Sequence, residues 1–158
     1  SESMLDYSKL NETRMSRWDK RYEPSEELIA ALQTQPAQTW LIITEGWCGD
    51  AAQNVPLLVK MADKVPHIEI DFILRDENLD IMDAYAINGT RSIPKLVAIG
   101  EDQEVLFEWG SRPSKVQEQF LKMREEGMIK DEINLEIHKL YAKSKGVYLE
   151  EDILELIK

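Results

Sequence analysis

Trp47-Cys48-Gly49-Asp50-Ala51 is the stretch of this sequence best placed to do chemistry, and Cys48 is the one cysteine. Before it, residues 39–44 form a short apolar run rich in Trp and Ile, the pattern of a buried strand. After it, residues 50–64 place Val55, Leu58, Val59 and Ala62 at helical spacing. A thiol at that junction lies beside the unpaired N–H groups that open a helix and beside the positive end of its dipole. Both favour the thiolate, the reactive form of cysteine. Asp50 falls in the first turn, where a carboxylate favours the helix but repels a thiolate two residues away. Capping the helix and tuning the thiol are both open to it.

One thiol excludes an intramolecular disulfide and a structural zinc site built on several cysteines. A free thiol suits a reducing compartment, and residues 1–10 lack the basic and apolar regions of a signal peptide, so a cytoplasmic protein is expected. His67 opens a strand and His138 sits inside a helix. Neither belongs to a metal-ligand spacing, and both read as ordinary surface or edge residues. No metal and no cofactor is expected. No Ser-His-Asp arrangement, phosphate-cradling glycine loop or catalytic carboxylate pair can be argued.

The elements around this stretch follow from periodicity. The chain has 158 residues, 43% hydrophobic and 31% charged, an ordinary globular composition for one domain. Its 19 basic and 30 acidic residues give a net charge of −11, which disfavours nucleic acid and anionic membranes as partners. No run approaches the ~20 apolar residues of a membrane span. Met15, Trp18 and Tyr22 share a helical face. Ser25 is an N-cap for a helix carrying Leu28, Ile29 and Leu32. Strands are expected at 68–74, 95–99 and 104–109, with a short helix at 79–84 and a hairpin loop at 100–103. Ser114-Lys115-Val116-Gln117 matches a capping box. Ile129, Ile133, Ile137 and Tyr141 recur every four residues, Gly146 is a C-terminal cap, and residues 150–157 form a last helix. The first two strands, joined by a helix, should be parallel, and the last two an antiparallel hairpin. The fold class is therefore α/β, a mixed central sheet with helices on both faces.

Trp47-Cys48-Gly49 resembles the start of the thioredoxin active-site motif, Trp-Cys-Gly-x-Cys. Pro56, eight residues after Cys48, matches the family's helix proline. The segment from Tyr85 through Ile87 to Ile93-Pro94-Lys95-Leu96 resembles the loop that carries the family's cis-proline. The Trp-Cys-Gly-Asp form is similar to a bacterial branch with extra amino-terminal helices. The resemblance covers residues 39–126, flanked by helical extensions at 1–36 and 129–158 in a single domain. It implies a thioredoxin-like fold, a cis Ile93-Pro94 bond, and a substrate groove formed by Trp47, Gly49, Asp50, Ala51, Ile93 and Pro94, in which the Ile93 backbone pairs with a bound peptide. Arg91 and Lys95 flank the proline; either could favour the thiolate or simply be solvated.

The departures from the family matter more. Ala51 stands where the resolving cysteine belongs, and Ile42 where many members keep a buried Asp as proton acceptor. Without a second thiol the chain cannot resolve a mixed disulfide by itself. The first reading is monothiol thiol–disulfide exchange, with Cys48 as nucleophile and a protein disulfide or small thiol as partner. The alternative is a redox-inactive binding module using the groove around Trp47 and Pro94. An iron–sulfur role like that of monothiol glutaredoxins fits poorly, because Asp50 replaces an apolar residue, and the peroxiredoxin pattern is absent before Cys48.

Overall fold

A computed structural model describes residues 2–86 and 88–158; Ile87 of the loop segment lies outside the described residues. Helix α1 (Glu2–Arg21) and helix α2 (Glu26–Gln33) precede strand β1 (Gln38–Thr44) and helix α3 (Gly49–Asp63). Strand β2 (Ile68–Leu74), a 3-10 turn at Arg75–Glu77 and helix α4 (Leu79–Ala84) follow. Strands β3 (Lys95–Gly100) and β4 (Val105–Gly110) then lead to helices α5 (Ser114–Glu125), α6 (Lys130–Ser144) and α7 (Val147–Leu156). Among the described residues no helix is long and apolar enough to cross a membrane.

The sheet order is β2-β1-β3-β4. β1 and β2 are parallel, with Trp40 opposite Ile70, as the intervening helix requires. β3 runs antiparallel to both β1 and β4. The mixed sheet flanked by helices is the expected architecture. β1 and β3 are central and carry the fully buried Trp40, Ile42, Ile43 and Leu96, whereas β2 is an edge that leaves Phe72 exposed.

Helix α3 lies on this sheet through Val55, Leu58, Met61 and Ala62, and Pro56 is accommodated within it. Trp18 of α1 and Tyr22 just beyond its end, Leu28 and Leu32 of α2, and Leu149 and Ile153 of α7 enter the same apolar cluster. The terminal helices thus share the core of the sheet. Eight residues are too few for α2 to hold alone. The two fully buried leucines, each contributing about 1.5–3 kcal/mol, anchor it. Ser25 caps it as expected, its hydroxyl accepting the Leu28 N–H at 3.2 Å. Val116, Ile133, Ile137 and Tyr141 form a second cluster that joins α5 to α6.

Two helix ends differ from expectation. Pro113, not Ser114, is the N-cap of α5, and no side chain caps it locally. The Ser114 N–H instead donates to Asp152 of α7 at 2.8 Å, and Gln117 accepts from Arg112 at 3.0 Å, so tertiary partners replace the capping box. Helix α7 begins at Val147 rather than Glu150. Lys145 ends α6 in the left-handed region, and Gly146, at φ +85°, turns directly into α7. A Cβ on Gly146 would come within 2.7 Å of the Tyr22 ring and 2.9 Å of Leu57, so the glycine also lets this corner pack closely on Tyr22 and α3.

Candidate functional site

Cys48 is the N-cap of α3, with extended backbone (φ −81°, ψ 120°), and its carbonyl accepts the Ala52 N–H at 3.1 Å. The side chain is half-buried. Its Sγ lies 3.5 Å from the Ile93 carbonyl oxygen, to which the thiol donates. The Ile93–Pro94 bond is cis. β1 therefore delivers the thiol, and the loop entering β3 presents a backbone oxygen to it.

The thiol is not activated in the way the helix start alone implies. Burial pushes its pKa above the ordinary value, and the Asp50 carboxylate adds to that. The N–H groups of Ala51 and Asp50 and the Arg112 guanidinium pull in the opposite direction without prevailing. The desolvation of a sulfur enclosed by the Trp47, Ile43, Met82 and Ile93 cluster outweighs the helix-start amides.

The Asp50 side chain binds tertiary partners rather than capping α3. Its Oδ2 accepts from Arg112 Nε at 3.0 Å and its Oδ1 from the Tyr141 hydroxyl at 2.8 Å. Asn54 donates to the Asp50 carbonyl at 2.8 Å and to the Tyr141 oxygen at 3.1 Å. Arg112 also stacks over the Phe120 ring at 4.1 Å. Burial, then the Asp50 charge, holds the Tyr141 phenol well above its ordinary pKa, so it stays a donor.

A second chain of bonds runs alongside. Trp18 Nε1 donates to Gln53 Oε1 at 2.7 Å, which leaves the Gln53 amide nitrogen to face His138 Nδ1 at 2.9 Å. His138 must accept there, so its proton sits on Nε2. Burial lowers its pKa to about 4, and the nearby Arg14 charge adds to this. The ring packs on the active stretch itself, since a Cβ on Gly49 would lie 3.0 Å from Cε1 and Nε2. His138 is thus a neutral, half-buried member of the site's surroundings, not the surface residue its spacing implied.

Arg91 and Lys95 do not reach the thiol's electrostatics. Arg91 forks onto Asp83 at 2.8 and 3.0 Å, and buried Lys95 pairs with Glu108 at 3.2 Å. The cation that acts on Cys48 is Arg112, which no motif marked. Trp47 is half-buried, with the Arg75 guanidinium 5.0 Å from its ring centre. Arg75 also donates to the Arg91 carbonyl at 3.1 Å, tying Trp47 to the loop before Pro94. Ala51 is 4% exposed and Ile42 fully buried, so the positions of the missing thiol and the missing acid are both apolar. Pro94 is buried as well. A groove of about 460 Å³ runs along Ser92, Ser111 and Arg112, and none of Trp47, Cys48, Asp50, Ile93 or Pro94 lines it.

A family model described as thioredoxin matches residues 1–141, including the amino-terminal helices. No curated protein matches the sequence. A protein of unknown function from Pseudomonas aeruginosa, PA1234, is similar in structure, with a TM-score of 0.69 at 20% identity, covering 94% of this chain and 82% of that one. An HIV epitope-scaffold gives a TM-score of 0.64 at 18% identity, covering 96% and 84%. Both likenesses concern the fold.

Proposed function

This chain belongs to the thioredoxin family, and from that premise we propose that it works as a monothiol protein, forming mixed disulfides through Cys48 that it does not resolve itself. The observation that carries this reading is the placement of Cys48 Sγ at the start of α3, 3.5 Å from the Ile93 carbonyl beside cis Pro94, with Ala51 where a resolving thiol would stand. The thiol first loses its proton to solvent. The thiolate attacks one sulfur of a partner disulfide, forming the Cys48–partner bond and releasing the other sulfur as a thiolate that takes up a proton. An external thiolate then attacks the partner sulfur of the adduct, forms a disulfide with it and releases Cys48 as a thiolate that takes up a proton. A thiol with a raised pKa is a poor leaving group, so the adduct it forms is slow to break. A buried, largely protonated thiol and an apolar Ala51 both favour long-lived adducts over turnover.

The raised pKa also favours a second reading, in which the surface around Trp47 and Pro94 binds an extended peptide without covalent chemistry. Intact mass after incubation with an aromatic disulfide separates the two. The monothiol reading expects one adduct, absent in Cys48→Ser, that persists until external thiol is added. Ala51→Cys should then release the adduct spontaneously. Wild-type protein that stays unmodified above pH 9 would leave only the binding reading.

A further inference from the structure

Helices α1 and α6 are both fastened to α3, α1 through the Trp18–Gln53 bond and α6 through the His138–Gln53 and Tyr141–Asn54 bonds. Between them lies a cleft of about 810 Å³. That is the size of ordinary small-molecule sites, about 300–1,000 Å³. Its walls carry Arg14, Arg17, Arg21, Lys139 and Lys145 against a single acid, Glu23. The chain as a whole carries −11, so the cleft inverts the sign of the molecule. Arg14, Arg17 and Arg21 stand at i, i+3 and i+7 on one face of α1, a row about 10 Å long.

Arg14 gives one guanidinium N–H to Asn11 Oδ1 at 2.9 Å, but most of the positive charge is not neutralised within the fold. Among the described residues no carboxylate forms an ion pair with Arg14, Arg17, Arg21 or Lys145; Glu23 pairs with Lys60 and Lys64, and Lys139 meets Glu136 on the surface. The polar groups of the floor satisfy one another, Trp18 to Gln53 to His138, and the neutral ring of His138 adds no charge. Like charges held in a row repel unless an anion sits among them. Guanidinium forks match phosphate and carboxylate oxygens two at a time. Leu135 and Ala142 supply an apolar wall for the body of a ligand.

We propose that this cleft binds a small organic anion carrying two or more phosphate or carboxylate groups spaced along the arginine row. Cys48 does not line it, although His138 and Arg14 of its wall also border Gly49.

Titration calorimetry of the whole chain at low salt tests this, with ATP as the polyphosphate probe and citrate as the polycarboxylate probe. At least one should saturate with a Kd below about 1 mM and weaken as salt rises. The probe that binds identifies the acidic group preferred. Arg17→Ala combined with Arg21→Ala, both exposed residues, should weaken binding at least tenfold with unchanged thermal stability. Lys20→Ala, on the same helix outside the cleft, and Cys48→Ser should bind like wild type. Saturation by neither probe, or equal binding by the double variant, overturns the proposal. So does a dimer that sedimentation detects in the wild type and not in the double variant, since the cleft would then be an interface between copies.

Discussion

Cys48 shows how a helix start and a buried setting compete at one sulfur. The two first-turn amides and Arg112 favour the thiolate, but desolvation is the largest influence and Asp50 sides with it. The two charged neighbours are bonded to each other, so each can be neutralised to read its own sign. Asp50→Asn removes the charge that raises the thiol pKa and keeps an acceptor for Tyr141. Its iodoacetamide labelling near neutral pH should be several-fold faster than wild type. Arg112→Gln removes the opposing cation and should slow labelling by a similar factor. Alkylation rate against pH, read by intact mass, checks both; a shift of both variants in one direction would show that local unfolding, not charge, sets the rate. The sequence indicated where the thiol sits, because a strand, a cysteine and a helix are contiguous. It did not indicate Arg112, which reaches Asp50 from the segment between β4 and α5, 62 residues away in the chain. Nor could it show that Arg91 and Lys95, neighbours of Pro94 in the chain, are held by Asp83 and Glu108.

At the scale of elements, the question is what fixes α6 against α3. Ile133, Ile137 and Tyr141 bury one face of α6 against α5. The Tyr141 hydroxyl then reaches α3, giving one bond to Asp50 and taking one from Asn54. Tyr141→Phe keeps the ring and removes both bonds. It leaves a half-buried carboxylate with one partner fewer, so it should destabilise the fold by about 1–3 kcal/mol in urea titration. Stability within a few tenths of wild type would mean that water replaces the hydroxyl. Periodicity made the four-residue stripe visible, but a period reports which face is buried, not what its polar tips touch. The same limit explains Ser114: the local pattern matched a capping box, yet Asp152 supplied the acceptor from α7. The strands were legible for the opposite reason. The parallel pair and the hairpin follow from connection length and local apolar pattern, which tertiary contacts did not override.

Across the whole molecule, one hydrogen-bonded line joins α1, α3 and α6, running from Trp18 through Gln53 to His138. It works only while His138 is neutral, because Nδ1 must accept. In the folded protein that holds down to about pH 4, whereas an unfolded histidine takes its proton near 6.5. The unfolded state therefore binds the extra proton between these values, and stability rises with pH across that window. The contribution is complete above the unfolded value and is lost as pH falls through about 4. With the ring half-buried, a contribution of about 1–2 kcal/mol is expected after allowance for screening. Carboxylates titrate in the same range, so the measurement is a difference: unfolding free energy of wild type minus that of His138→Asn, whose amide oxygen can still accept from Gln53 without titrating. That difference should fall by about 1–2 kcal/mol between pH 7 and pH 4. A constant difference would mean that His138 titrates alike in both states.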